Sequence, residues 1–164
     1  MARSSLKFVL DQNLSVHMLG ILKAAQVGPV GRITSLTELG FMGDTPDVNW
    51  IAELGGKGYC VVTRDNEILD NVVEHGAWKA SRLSLLILKK WGSQPRPEIA
   101  RRLLYWWPRM VETAETGHEG DAWKVPCQVP DPSTQIRLVT GLGPGPNRKP
   151  QAVHATLRRL PTKP

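Results

Sequence analysis

The chain has 164 residues, about the length of one domain, and its 41% hydrophobic and 22% charged residues make an ordinary globular balance. No run approaches the roughly 18 to 20 consecutive apolar residues of a bilayer helix, and the start Met1-Ala2-Arg3-Ser4-Ser5 has no secretory apolar region, so no membrane is expected as a partner and the cytoplasm is the expected location. Two cysteines, Cys60 and Cys127, without a Cys-x-x-Cys pair fit neither a disulfide framework nor a zinc ribbon.

In chain order the apolar pattern alternates short continuous runs with helical spacing, which predicts an α/β domain with a mainly parallel central sheet. Residues 6–10 read as a buried strand. Ser15 is placed to cap a helix whose apolar face is Val16, Leu19, Leu22 and Ala25 and which ends near Gly28-Pro29. Residues 33–36 read as a second strand. Asp44-Thr45-Pro46 then offers a cap before a first-turn proline, and Trp50, Ile51 and Leu54 follow at helical spacing until Gly55-Gly56. Residues 59–63 are apolar on both faces, as in a strand covered on both sides. Ile68, Leu69, Val72 and Val73 predict a helix closed by Gly76, residues 83–88 another doubly buried strand, and residues 97–110 a helix with Ile99, Leu103, Trp106 and Met110 inward, kinked or shortened by Pro108.

The net charge of +6 is a property of the C-terminal part. Residues 1–127 carry 15 Lys and Arg against 14 Asp and Glu, whereas residues 128–164 carry 6 against Asp131 alone. Pro130, Pro132, Pro144, Pro146 and Pro150 punctuate that segment, and its Gly/Pro-rich centre sustains neither helix nor sheet pairing. The expected division is a domain over 1–127 and a flexible basic tail over 128–164, in which residues 134–140 are the one stretch suited to an edge strand and 153–160 to a short helix on a partner.

In an open parallel sheet the functional crevice lies at the carboxyl ends of the strands. The residues there are acidic: Asp11 directly follows one buried run, and Asp65 and Glu67 follow another. Crowded carboxylates repel one another unless a cation sits among them, and all-oxygen ligands favour Mg2+ or Mn2+. Plainer readings exist for some of them. Asp65 is placed to cap a following helix, and Asp47, in the first turn after Pro46, to complement a helix dipole. Asp11 has no such capping duty.

The strings Phe8-Val9-Leu10-Asp11-Gln12-Asn13-Leu14-Ser15, Asp47 to Ala52, and Val61-Val62-Thr63-Arg64-Asp65-Asn66-Glu67-Ile68 together resemble the PIN-like nuclease superfamily, especially its short bacterial members related to VapC-type toxin ribonucleases. The resemblance covers about residues 6–125. It implies a three-layer α/β/α fold and a Mg2+- or Mn2+-dependent ribonuclease, with RNA, an antitoxin protein and a second copy of the chain as candidate partners. It also implies roles residue by residue. Asp11, Asp47 and Asp65 match the metal-holding and catalytic acids, Glu67 matches the second acid after the Thr-containing strand, and Asn13, Thr63 and Arg64 are candidates for substrate contact. Gln12 stands where small members often have Glu, and the middle acid is open among Asp44, Asp47 and Glu53.

Further cations that suit an RNA strand are Arg32, Lys57, Lys89 and Lys90, and Lys89-Lys90-Trp91 suggests base stacking on the indole; for Trp91, Trp106 and Trp107 a place in the core is the plainer reading. Gly141-x-Gly-x-Gly lies in the Pro-rich segment without a following helix, and His17, His75, His118 and His154 have no metal-ligand spacing. Two other classes remain open. One is a catalytically inactive PIN-like module that binds RNA or protein. The other is a receiver-like phosphoacceptor domain built on Asp11, Thr63 and Lys89, although Gln12 and Asn13 stand where a receiver carries a second acid.

Overall fold

The computed structural model describes residues 5–140. Among them, six strands form one sheet: β1 (Lys7–Leu10), β2 (Ile33–Ser35), β3 (Tyr59–Thr63), β4 (Ser84–Leu88), β5 (Ala122–Val125) and β6 (Arg137–Thr140), in the spatial order β2-β1-β3-β4-β5-β6. The first five run parallel and β6 lies antiparallel on β5. The helices α1 (Ser15–Ala25), α2 (Asp47–Leu54), α3 (Val72–Ser81) and α4 (Arg96–Thr116) connect them.

Successive strand residues point to opposite faces, and here both faces are covered. Phe8, Leu10, Val62 and Leu86 pack with Leu22 of α1 and with Leu103, Trp106 and Trp107 of α4. Val9, Val61, Leu85 and Ile87 pack with Trp50 and Ile51 of α2 and Trp78 of α3. This is the expected three-layer α/β/α arrangement, and it explains why β3 and β4 read as unbroken apolar runs. Because β1 pairs with both β2 and β3, the chain leaves β1 toward one edge of the sheet and then returns to build the other. The crevice of such a sheet opens where that direction reverses, at the carboxyl ends of β1 and β3.

Several local expectations are corrected. Leu14, rather than Ser15, occupies the N-cap of α1, and its side chain makes no cap hydrogen bond. A 3-10 turn, Gln12–Leu14, leads into the helix, so the buried face runs Leu14, Met18, Leu22 with Leu19 beside it, while Val16 and Ala25 are exposed. Asp44 is exposed and does not cap α2, whose N-cap is Pro46. The helix expected from Ile68 to Gly76 starts at Val72 and runs through Gly76 to Ser81. Ile68 is buried in the preceding loop, Val72 and Val73 are exposed, and Trp78 supplies the inward anchor. Asn71 fixes that start, its Oδ1 accepting from Val73 N at 3.0 Å and Glu74 N at 3.3 Å. Pro108 does not end α4, because the apolar stripe Leu103, Trp106, Trp107, Met110 and Ala114 packs across it.

Two glycines are set by close approach. A Cβ at Gly55, which ends α2, would lie 2.5 Å from the Ser81 carbonyl, and one at Gly117, which ends α4, would lie 2.2 Å from the ring of Trp123 in β5.

The expected boundary at 127 falls inside packed structure. Trp106 Nε1 donates to Gln128 O at 2.8 Å, Arg109 Nη1 donates to Asp131 O and Thr134 O, and β6 extends the sheet. Residues 128–140 are therefore held by α4 and β5 despite their prolines and charge. The remainder of the expected tail, 141–164, lies outside the described residues.

Candidate active site

The end of β1 delivers Asp11 into the crevice, and its neighbours hold both carboxylate oxygens. Oδ2 accepts from the Thr63 hydroxyl at 2.6 Å and from Asn13 Nδ2 at 2.9 Å, and Oδ1 accepts from the backbone N–H of Gln12 at 2.6 Å. Thr63, the last residue of β3, is buried; its Oγ1 also accepts from Asp65 N at 2.9 Å. Asn13 Oδ1 accepts from Arg64 N at 3.1 Å. A ring of hydrogen bonds thus ties the exits of β1 and β3 together.

Beside this ring, three half-buried carboxylates converge. Asp47 opens α2, Asp65 follows β3, and Glu74 stands in the first turn of α3. Each offers an oxygen within 4.8 Å of the others. Asp47 is aimed by the buried Trp50, whose indole N–H donates to its Oδ1 at 2.8 Å. Asp65 Oδ1 accepts from Glu67 N at 2.8 Å, which turns the loop after β3. Burial, reinforced by the charges of Asp47 and Asp65, pushes the Glu74 carboxyl above its ordinary value. Asp11 is raised as well, chiefly by burial and further by Asp47 and Asp65, against the opposing hydrogen bonds from Thr63 and Gln12.

The sequence matches the family described as PIN like domain over residues 6–90, just over half of the chain and the whole span from β1 to the end of β4. The chain belongs to the PIN-like domain family. Neither the curated proteins nor the solved structures yield a match.

The PIN-like site gathers most, though not all, of the residues expected from sequence. Asp47 and Asp65 join Glu74 in the group of three, and Asp11 stands next to it, near enough to feel their charge but with both oxygens engaged by its own neighbours. Asn13 and Thr63 hold Asp11. Glu67 is exposed and outside the group, and so are Asp44 and Glu53. The residue missed is Glu74. Its signal was the pattern Asn71-x-x-Glu74, a cap followed three residues later by Glu, hidden because the apolar run from Ile68 placed the helix start too early.

The donor set fits a hard divalent cation. Three carboxylates, from the start of α2, the loop after β3 and the first turn of α3, converge, and Glu74 and Asp11 are both biased toward protonation, chiefly by burial and further by the neighbouring acids. Asp47, Asp65 and Glu74 would hold such an ion.

The cations divide by position. Arg64 is half-buried at the end of β3, and its Nε has no partner among the described residues. Arg32 is committed at the opposite end of the sheet, bonding Leu6 O and pairing with Glu115 at 2.9 Å. Lys57 precedes β3 and also lies at that far end. Trp91, Trp106 and Trp107 are fully buried, so the stacking expected of Trp91 is excluded. Among the described residues no helix is long and apolar enough to cross a membrane.

Proposed function

We propose that this PIN-like protein is a metal-dependent ribonuclease that hydrolyses RNA phosphodiester bonds. The observation that carries the reading is the meeting of Asp47, Asp65 and Glu74 within 4.8 Å at the carboxyl end of the sheet. A divalent ion, when bound, lowers the pKa of a water and polarises the phosphate. The chain's own residues do the rest. Thr63 and Asn13 fix the Asp11 carboxylate beside Asp47, Asp65 and Glu74, and Trp50 holds Asp47 in its rotamer. Arg64 offers the positive charge that an entering phosphate requires. Within this reading we also propose that the protein acts as the toxin of a toxin-antitoxin pair of VapC type, a role compatible with its PIN-like family.

The test is cleavage of a labelled single-stranded RNA by wild type, Asp65→Asn and Glu74→Gln, with Mn2+ or Mg2+ and with chelator. Cleavage by wild type that is lost in both variants and in chelator is expected. Activity that survives chelator overturns the reading, and a wild type that cuts no RNA with either metal favours a non-catalytic PIN-like module. For the toxin role, induced expression should arrest growth, and the arrest should vanish with Asp65→Asn.

A further inference from the structure

The Lys89-Lys90-Trp91 sequence that follows β4 is not absorbed by the acidic site, and its geometry is unusual. Trp91 is fully buried and donates from Nε1 to Pro126 O at 3.1 Å, while Lys89 N donates to Val125 O at 3.0 Å. The indole is therefore the anchor of a tight turn that leaves both lysines exposed. Lys90 sits at φ 63°, a left-handed conformation in which glycine would be relaxed and lysine is strained. Gln26 and Arg82 adopt the same conformation where they close α1 and α3, so at Lys90 it marks a tight turn, and the exposed charges are what point to a ligand.

The register places this turn beside the candidate active site. Thr63 pairs with Ile87, so Asp65 and Lys89 each stand two residues beyond a register pair on neighbouring strands, whose backbones lie about 4.8 Å apart. None of the ion pairs among the described residues involves Arg64, Lys89 or Lys90. The opposite flank has the other sign. From residue 33 to 56, the stretch that includes β2 and leads through α2, there is no Lys or Arg; Asp47 belongs to the acidic site and Glu38 faces Lys23 of α1 at 3.8 Å, which leaves Asp44 and Glu53 as the charges added on that side. A polyanion seated at the acidic site finds exposed cations over the end of β4 and none along α2.

We infer that Arg64, Lys89 and Lys90 form the phosphate track of a single-stranded RNA, which leaves the site across the end of β4 toward the start of α4. This rests on the ribonuclease reading and adds the direction of the strand. The left-handed Lys90 closes the turn that presents these two adjacent cations at the strand ends.

The test is fluorescence anisotropy of the full chain with a labelled single-stranded RNA over a range of KCl, with Ca2+ in place of Mg2+ and the strand checked on a gel. Lys89→Gln and Lys90→Gln should each reduce the slope of log affinity against log salt by about 0.7, and Lys57→Gln, at the far end of the sheet, should leave it unchanged. Lys90→Gly should weaken binding as Lys90→Gln does while raising the thermal midpoint. Unchanged slopes in both Gln variants, beside a wild type that binds, overturn the track and leave the ribonuclease reading standing. A wild type that binds no RNA at any salt overturns both. A lowered midpoint in Lys90→Gly overturns the strain argument.

Discussion

The hydroxyl of Thr63 donates to Asp11 Oδ2 across 2.6 Å and accepts the backbone N–H of Asp65 at 2.9 Å. One buried side chain thereby sets the position of an acid on each of two neighbouring strand exits. Thr63→Val keeps the shape and removes both bonds, together with the one the hydroxyl accepts from Asn13 Nδ2 at 3.2 Å. Because two partly buried polar groups lose a partner, it should destabilise the fold by about 1 to 3 kcal/mol, whereas Thr63→Ser should cost less. Denaturant unfolding of the two variants separates the hydroxyl from the methyl. A Thr63→Val protein as stable as wild type would mean that the bond contributes nothing.

Asp11 titrates above its ordinary value of 3.8 in the folded protein, with burial as the main cause. The folded state therefore holds the Asp11 proton more tightly than the unfolded chain does. That contribution to stability is fully present below pH 3.8 and is lost as pH rises through the folded value. In the metal-free protein, the difference in unfolding free energy between wild type and Asp11→Asn should shift against wild type over this window. Asp11→Asn should then be equally or more stable at pH 7. A variant that loses stability at pH 7 would show that the hydrogen bonds to the carboxylate outweigh its repulsion.

Metal affinity should follow the converging oxygens rather than the order of acids along the chain. Loss of a group that merely supports a ligand costs about 10- to 100-fold in metal affinity, so Asp47→Asn, Asp65→Asn and Glu74→Gln should each lower Mn2+ affinity by at least tenfold in calorimetric titration. Glu67→Gln should change it little, since Glu67 is exposed and outside the group. The reverse ranking of Glu67 and Glu74 would place the centre elsewhere.

A chain cut after residue 127 should lose stability, and one cut after residue 140 should keep more of it. The shorter cut strips the acceptor from the indole N–H of the buried Trp106, removes the carbonyls that Arg109 holds, and leaves β5 as a bare edge. Thermal melts of the two truncations measure the difference. Equal midpoints would return the domain boundary to 127.

The sequence by itself determined the class of the fold and, of the three converging acids, Asp65, with Asp47 one of three candidates for the middle position. Unbroken apolar runs such as 59–63 and 83–88 admit few readings other than strands covered on both faces, and acids placed directly after such runs fall at the carboxyl edge of a parallel sheet. Glu74 was not legible in this way. Val72 and Val73 look like core residues at helical spacing, but they are exposed, because the Asn71 cap starts the helix late and turns Trp78 inward instead. Only the packing of α3 beside α2 brings Glu74 to Asp47, residues distant in the chain. The fate of residues 128–140 was decided in the same way. Their prolines and charge argue against a core of their own, but the carbonyls they offer to Trp106 and Arg109 and the open edge of β5 supply partners that local composition does not reveal. Local sequence fixes what a segment prefers alone, and tertiary structure decides which of its polar groups find partners.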